Sequence, residues 1–210
     1  MLFEQFFSEH TAIPAIDCSG IEDWCENALY ALLPLSGSIM LLPGHRVERE
    51  RFLNQCAGAL AQLCEQLQSA EVVKVVMESS QVGAFIGGEL RGNIDLLATN
   101  VDGAEAVIDI KWGGYNYRKK SWEQGDYLQL LTYAQLRRQL TGKIPALAYF
   151  IVEDGHLLSN SAEYFPRAQI IPEVDNLAIA EYWMKLENTW KWRRQQIQQG
   201  RVEVTVSGTE

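Results

Sequence analysis

Asp95, Asp109 and Lys111 are the residues of this chain whose types and spacing could do chemistry together. They lie in "GNIDLLATNVDGAEAVIDIKWGG", residues 92–114. Two β-rich runs meet here, and period-two alternation places Asn93, Asp95 and Leu97 on one face of the first strand. Val107, Asp109 and Lys111 share a face of the second. If Val101-Asp102-Gly103 forms a three-residue hairpin loop with Gly103 left-handed, Asn100 pairs with Ala104. Counting outward then sets Asp95 opposite Asp109, with Cβ atoms about 5 Å apart. A two-residue Asp-Gly turn would shift the pairing by one residue and part the two faces; the three-residue loop is preferred. Opposed carboxylates repel unless something compensates, and a divalent cation is a common compensation. Hard oxygen ligands suit Mg²⁺ or Mn²⁺. Lys111 points the same way and could hold an attacking water or offset charge on a phosphoryl oxygen. The set suits hydrolysis of a phosphodiester.

The elements around these residues must supply a rigid frame. "IEDWCENALYALL" (21–33) has helical periodicity and is followed by the break "PLSGS". From Arg46 to Leu67 the residues Val47, Phe52, Cys56, Leu60, Leu63 and Leu67 mark one face of a longer helix, introduced by Pro43-Gly44. Three β-rich runs follow, 72–78, 82–98 (bent or broken at its glycines) and 104–112, and read as an antiparallel meander. A helix is expected over 126–140, a buried strand over 145–152 and a long helix over 177–200, stopped by Gly200. The fold class is therefore α/β, with a mixed central sheet flanked by helices.

Composition bounds the rest. A chain of 210 residues with 47% hydrophobic content can bury a real core, and one large domain is expected. No membrane-length apolar run and no basic leader occur, so a soluble, cytoplasmic protein with no membrane partner is expected. Cys18, Cys25, Cys56 and Cys64 form no C-x-x-C pair and read as reduced, mostly buried thiols. The net charge of −9 argues against a phosphate-binding partner, yet the average hides a reversal. Between Lys111 and Lys143 stand Lys111, Arg118, Lys119, Lys120, Arg137, Arg138 and Lys143 against only Glu123 and Asp126, a local balance of +5. Arg118, Lys119 and Lys120, in a loop after the second strand, are candidates for gripping phosphates. Trp112 and Trp122 are the tryptophans placed to stack on a nucleobase.

An acidic-x-Lys triplet alone carries little weight: 27 acidic residues and seven lysines in 210 positions yield about one by chance. Its context is stronger. "GNIDLL", "DIK" and "LQLLTY" follow in order, and together they resemble the Gly-x-x-Asp, acidic-x-Lys and Gln-x-x-x-Tyr motifs of the PD-(D/E)XK nucleases, RecB-like branch. The resemblance spans roughly residues 40–203; Met1 to Ser38 match nothing in it. It implies a restriction-endonuclease-like core over 40–205, with residues 1–39 a helical extension packed on that core. Asp95, Asp109 and the Ile110 carbonyl would surround the metal, helped by Glu48 or Glu78, and Lys111 would orient the nucleophilic water. Gln129 and Tyr133 would contact substrate or brace the site. Glu78 is similar to an acidic residue one strand earlier in such domains. The family's usual metal-binding His falls, counted from Gly44, on Glu48, while His45 directly follows the glycine. No cysteine follows Cys64, which excludes the iron-sulfur cluster of some members. Gly142-Lys143 is no P-loop, so any motor would be a separate helicase or other subunit.

The resemblance thus implies a Mg²⁺-dependent DNA nuclease, of exonuclease type, in DNA repair, recombination or defence against phage and mobile elements. The alternative is a catalytically silent DNA-binding or structural subunit of a larger complex. An RNA-directed hydrolase on the same scaffold is a third reading.

Overall fold

A computed structural model describes residues 1–171 and 176–201. The chain divides into two units, Met1–Glu173 and Val174–Glu210. The second carries helix α6 (Asn176–Gln198); the end of the family resemblance at 202–205 lies outside the described residues.

The first unit opens with α1 (Leu2–Glu9) and α2 (Ile21–Ser36). The expected break at "PLSGS" is not realised at its proline: α2 runs through Pro34, which cannot donate to the Tyr30 carbonyl, and ends two residues later at Ser36. Helix α3 (Arg46–Ser69) forms because Leu60, Leu63, Cys64 and Leu67 recur at helical spacing, and all four are fully buried. Truncating one of these leucines would cost about 2–5 kcal/mol. Val47, expected on that face, is instead exposed; the early turns of α3, at Leu53 and Cys56, pack on Leu29 of α2. Phe6, Phe7, Ile13, Ile21 and Cys25 share one core with α3 and the sheet.

Among the described residues six strands form one mixed sheet in chain order. They are β1 (Val72–Phe85), β2 (Gly88–Asn100), β3 (Glu105–Lys111), β4 (Ala146–Ile151), β5 (His156–Ser159) and β6 (Gln169–Ile170). The first three make the expected antiparallel meander, and β3 runs parallel to β4. The run expected at 82–98 is divided between β1 and β2 by a hairpin whose two turn residues, Ile86 and Gly87, both have positive φ. Between β3 and β4 the chain crosses through α4 (Tyr115–Glu123) and α5 (Leu128–Thr141). Central β3 is buried on both faces: Ala106, Val107, Ile108 and Asp109 are all inaccessible. That continuous burial suits a strand flanked on each side by another.

The β1–β2 ribbon changes sides at Glu78, which has a φ of 48°, a conformation uncommon for a residue with a side chain. Val75, Met77, Leu96 and Ala98 pack on the α3 core. Beyond Glu78, Gln81 bonds to Arg137 of α5, and Gly83 and Gly92 lie against α5 side chains. The alternation expected for Asn93, Asp95 and Leu97 is therefore broken. Asn93 is exposed and bonds Ser80 and Glu78, whereas Leu97 is buried. Among the described residues no helix is long and apolar enough to cross a membrane.

Candidate active site

The β2–β3 hairpin closes through Val101-Asp102-Gly103. The Asn100 N–H donates to the Ala104 carbonyl at 3.0 Å, and Gly103 has a φ of 74°. This is the register that opposes Asp95 to Asp109. The paired ladder descends from Thr99↔Glu105 to Leu96↔Ile108 and stops there, while β3–β4 pairing continues to Lys111↔Ile151. The strands fork just where the two aspartates face one another. Asp95 spans the fork, since its Oδ2 accepts the Ile110 N–H at 2.8 Å, a side chain standing in for a lost ladder bond. Ile110, expected to lend its carbonyl to a metal, is thereby fixed through its N–H.

Asp109 is 0% exposed. The Lys111 Nζ forms an ion pair with its Oδ2 at 2.7 Å, while among the described residues Oδ1 has no hydrogen-bond partner. Burial pushes the Asp109 carboxyl up to about 6; the Lys111 ammonium opposes that rise and the neighbouring Asp95 adds to it. A buried carboxylate facing a second carboxylate and balanced by a single ammonium is costly, and a hard cation would relieve the cost. Asp95 and Asp109 therefore fit a divalent ion on donor chemistry. Among the described residues, however, no group of three or more His, Cys, Asp or Glu side chains is gathered closely enough to hold a metal.

Among the other expected ligands, Glu78 lies between the β1–β2 pairs Met77↔Leu96 and Ser79↔Ile94, across from Asp95. Glu78 is engaged by Asn93 Nδ2 at 3.2 Å. Glu48 is exposed in the first turn of α3, and His45 is that helix's N-cap residue without a side-chain cap bond. Glu48 stands one helical turn before Phe52, whose ring stacks on Trp112 with centroids 5.3 Å apart.

Gln129 and Tyr133 do join the site. Lys111 Nζ donates to Gln129 Oε1 at 3.3 Å, and Gln129 Nε2 donates to the Tyr133 hydroxyl at 3.1 Å. Spacing of one turn on α5 aligns the last two. Buried Tyr133 rests on Gly92: a Cβ there would stand 2.8 Å from its Cε1. The glycine of "GNID" is thus needed for close approach of an aromatic ring. Burial raises the Tyr133 hydroxyl pKa above its ordinary value, keeping it a proton donor.

The basic run is rearranged. Arg118, Lys119 and Lys120 occupy helix α4, not a loop, and consecutive helical residues spread over about 200°. Arg118 is half-buried with its guanidinium 5.7 Å from the centre of the Tyr149 ring, the residue paired with Asp109 on β4. Lys119 is half-buried and Lys120 exposed. Arg137 is committed elsewhere, to Glu105 and Gln81. Trp122 cannot meet a base, being 2% exposed between Tyr127 and Tyr149. Trp112 is 48% exposed. The contacts by which Phe52 backs Trp112 and Tyr149 backs Arg118 carried no signal in the sequence because they are long-range. All four cysteines are free thiols; Cys25, Cys56 and Cys64 are buried, and burial pushes Cys25 and Cys64 up to about 12.

A comparison with individual curated proteins gives no match. The family model described as the PD-(D/E)XK nuclease superfamily matches residues 2–207, and so takes in the N-terminal segment that the motifs alone left outside. With the fork, the acidic-x-Lys strand and a match over nearly its whole length, the chain belongs to the PD-(D/E)XK nuclease superfamily.

Proposed function

We propose that the protein is a Mg²⁺- or Mn²⁺-dependent deoxyribonuclease of the RecB-like branch, acting as an exonuclease in DNA repair, recombination or defence. The observation that carries this reading is Asp109, a fully buried carboxylate opposed to Asp95, with one oxygen paired to Lys111 and the other without a partner among the described residues. Asp95 and Asp109 would hold the ion, with the Ile110 carbonyl and Glu48 or Glu78 as further donors. When bound, such an ion polarises the phosphoryl group and lowers the pKa of a coordinated water. Lys111 offsets negative charge on the phosphate, and its ammonium is oriented by Gln129, which Tyr133 steadies in turn. Asp95 holds the Ile110 peptide in place through its N–H. Arg118, Lys119 and Lys120 supply positive charge from α4, with Arg118 braced on Tyr149. An overall charge of −9 leaves binding weak unless other subunits, such as a helicase, deliver the DNA. The test is degradation of end-labelled DNA with Mg²⁺ or Mn²⁺, with EDTA and labelled RNA as controls. Digestion of DNA that EDTA abolishes supports the reading. DNA left intact with either metal, or digestion indifferent to EDTA, contradicts it.

A further inference from the structure

Trp112 is the residue after Lys111, so its backbone lies about 3.8 Å from that of the site's lysine. Its side chain is nearly half exposed, although a tryptophan gains more than most residues from burial. Its position is nonetheless fixed. The Trp112 carbonyl accepts the Glu153 N–H at 2.7 Å, and the Phe52 ring stacks against the indole at an interplanar angle of 23°. At the next residue, Gly113, a Cβ would crowd the Glu153 carboxylate, which would have to swing aside. The Phe52 ring covers one face of the indole, and nearly half of the Trp112 side chain remains exposed. At the end of β3 Lys111 reaches Gln129 of α5 while Trp112 stacks on Phe52 of α3, which places a cation and an aromatic ring on consecutive residues.

We propose that Trp112, backed by Phe52, is a stacking platform for an unpaired nucleobase next to the scissile phosphate, and that the site takes single-stranded DNA or a frayed terminus. A base held in a duplex has both faces occupied by its neighbours, whereas an unpaired base offers one to the indole. The inference rests on the nuclease reading for its substrate, and its test does not require cleavage.

In EDTA, the full-length protein is titrated with an oligothymidylate and with a matched oligomer of reduced abasic residues, which keeps the phosphates and removes the bases. Wild type should favour the thymidylate by roughly five- to 150-fold, the range expected from one base–aromatic stack. Trp112→Ala should lose most of that preference and bind the abasic oligomer as wild type does, while Trp112→Phe should retain much of it. Thermal melts establish that the variants are folded. Absence of a base preference in wild type, or its persistence in folded Trp112→Ala, overturns the platform. Cleavage by wild type with Mn²⁺, measured separately, separates the two ideas: the platform can fail while digestion proceeds, and a preference that depends on Trp112 can stand where no DNA is cut.

Discussion

Replacing Asp109 with Asn should stabilise the metal-free protein at neutral pH, although it removes a residue from the centre of the sheet. The Asp109 carboxyl stands at about 6 in the folded chain against a reference value of 3.8. Between these values the native state binds a proton that the unfolded chain does not, so stability falls as pH rises through the interval. The contribution of Asp109 is fully present below about pH 4 and lost above about pH 6. Roughly two pH units at 1.36 kcal/mol each give a loss of about 3 kcal/mol by pH 7. Asn has nearly the same shape and no charge. It gives up the ion pair with Lys111, an interaction already included in the position of the carboxyl. The measurement is chemical denaturation of both proteins in EDTA from pH 4 to pH 7, read as their difference so that other titrating groups cancel. The variant should gain on wild type by about 3 kcal/mol across that range, equivalent to roughly 6–12 °C in Tm for a chain of this size. Saturating Mn²⁺ should restore wild type alone. A difference that stays flat with pH, or that grows in favour of wild type, would refute the reasoning that a buried carboxylate is held here at a cost.

Other expectations follow from the same geometry. Gly92→Ala should push Tyr133 away from Gln129, lowering stability by about 1–3 kcal/mol in denaturation and slowing DNA cleavage; wild-type behaviour in both would show that the close approach is not needed. Ile86 is a β-branched residue at a φ of 45°, so Ile86→Asn should raise stability by about 1 kcal/mol, and a lower Tm would contradict the strained turn. Replacing Lys119 and Lys120 with Gln should reduce the slope of log affinity against log salt by no more than about 1.4 on single strands, the value for two phosphate contacts. An unchanged slope would remove both from the DNA interface.

The geometry of the candidate site was legible because it depends on local rules. A left-handed Gly103 fixes the hairpin count, the count opposes Asp95 to Asp109, and alternation carries Lys111 along. Gln129 and Tyr133 followed from motif order and meet by helical spacing. What escaped depends on distant contacts. Helix α4 has no apolar stripe, and its anchor, Trp122, is buried by Tyr127 and Tyr149 from elsewhere in the chain. The change of side at Glu78 comes from a left-handed residue that nothing in "VVMESS" announces, and it carries Asn93 away from the face that alternation assigned to it. The N-terminal segment has no motif, but Phe6, Ile13 and Ile21 complete the core under the sheet.

The central claim is that the fork between β2 and β3 is a metal-dependent phosphodiester-cleaving centre built on Asp109. It is tested most directly by the rate at which wild type and Asp109→Asn degrade end-labelled single-stranded DNA with saturating Mn²⁺. The account predicts digestion by wild type and a rate at least about a hundredfold lower for the variant, as expected when a metal-holding group is lost. Equal rates from the two proteins would contradict it.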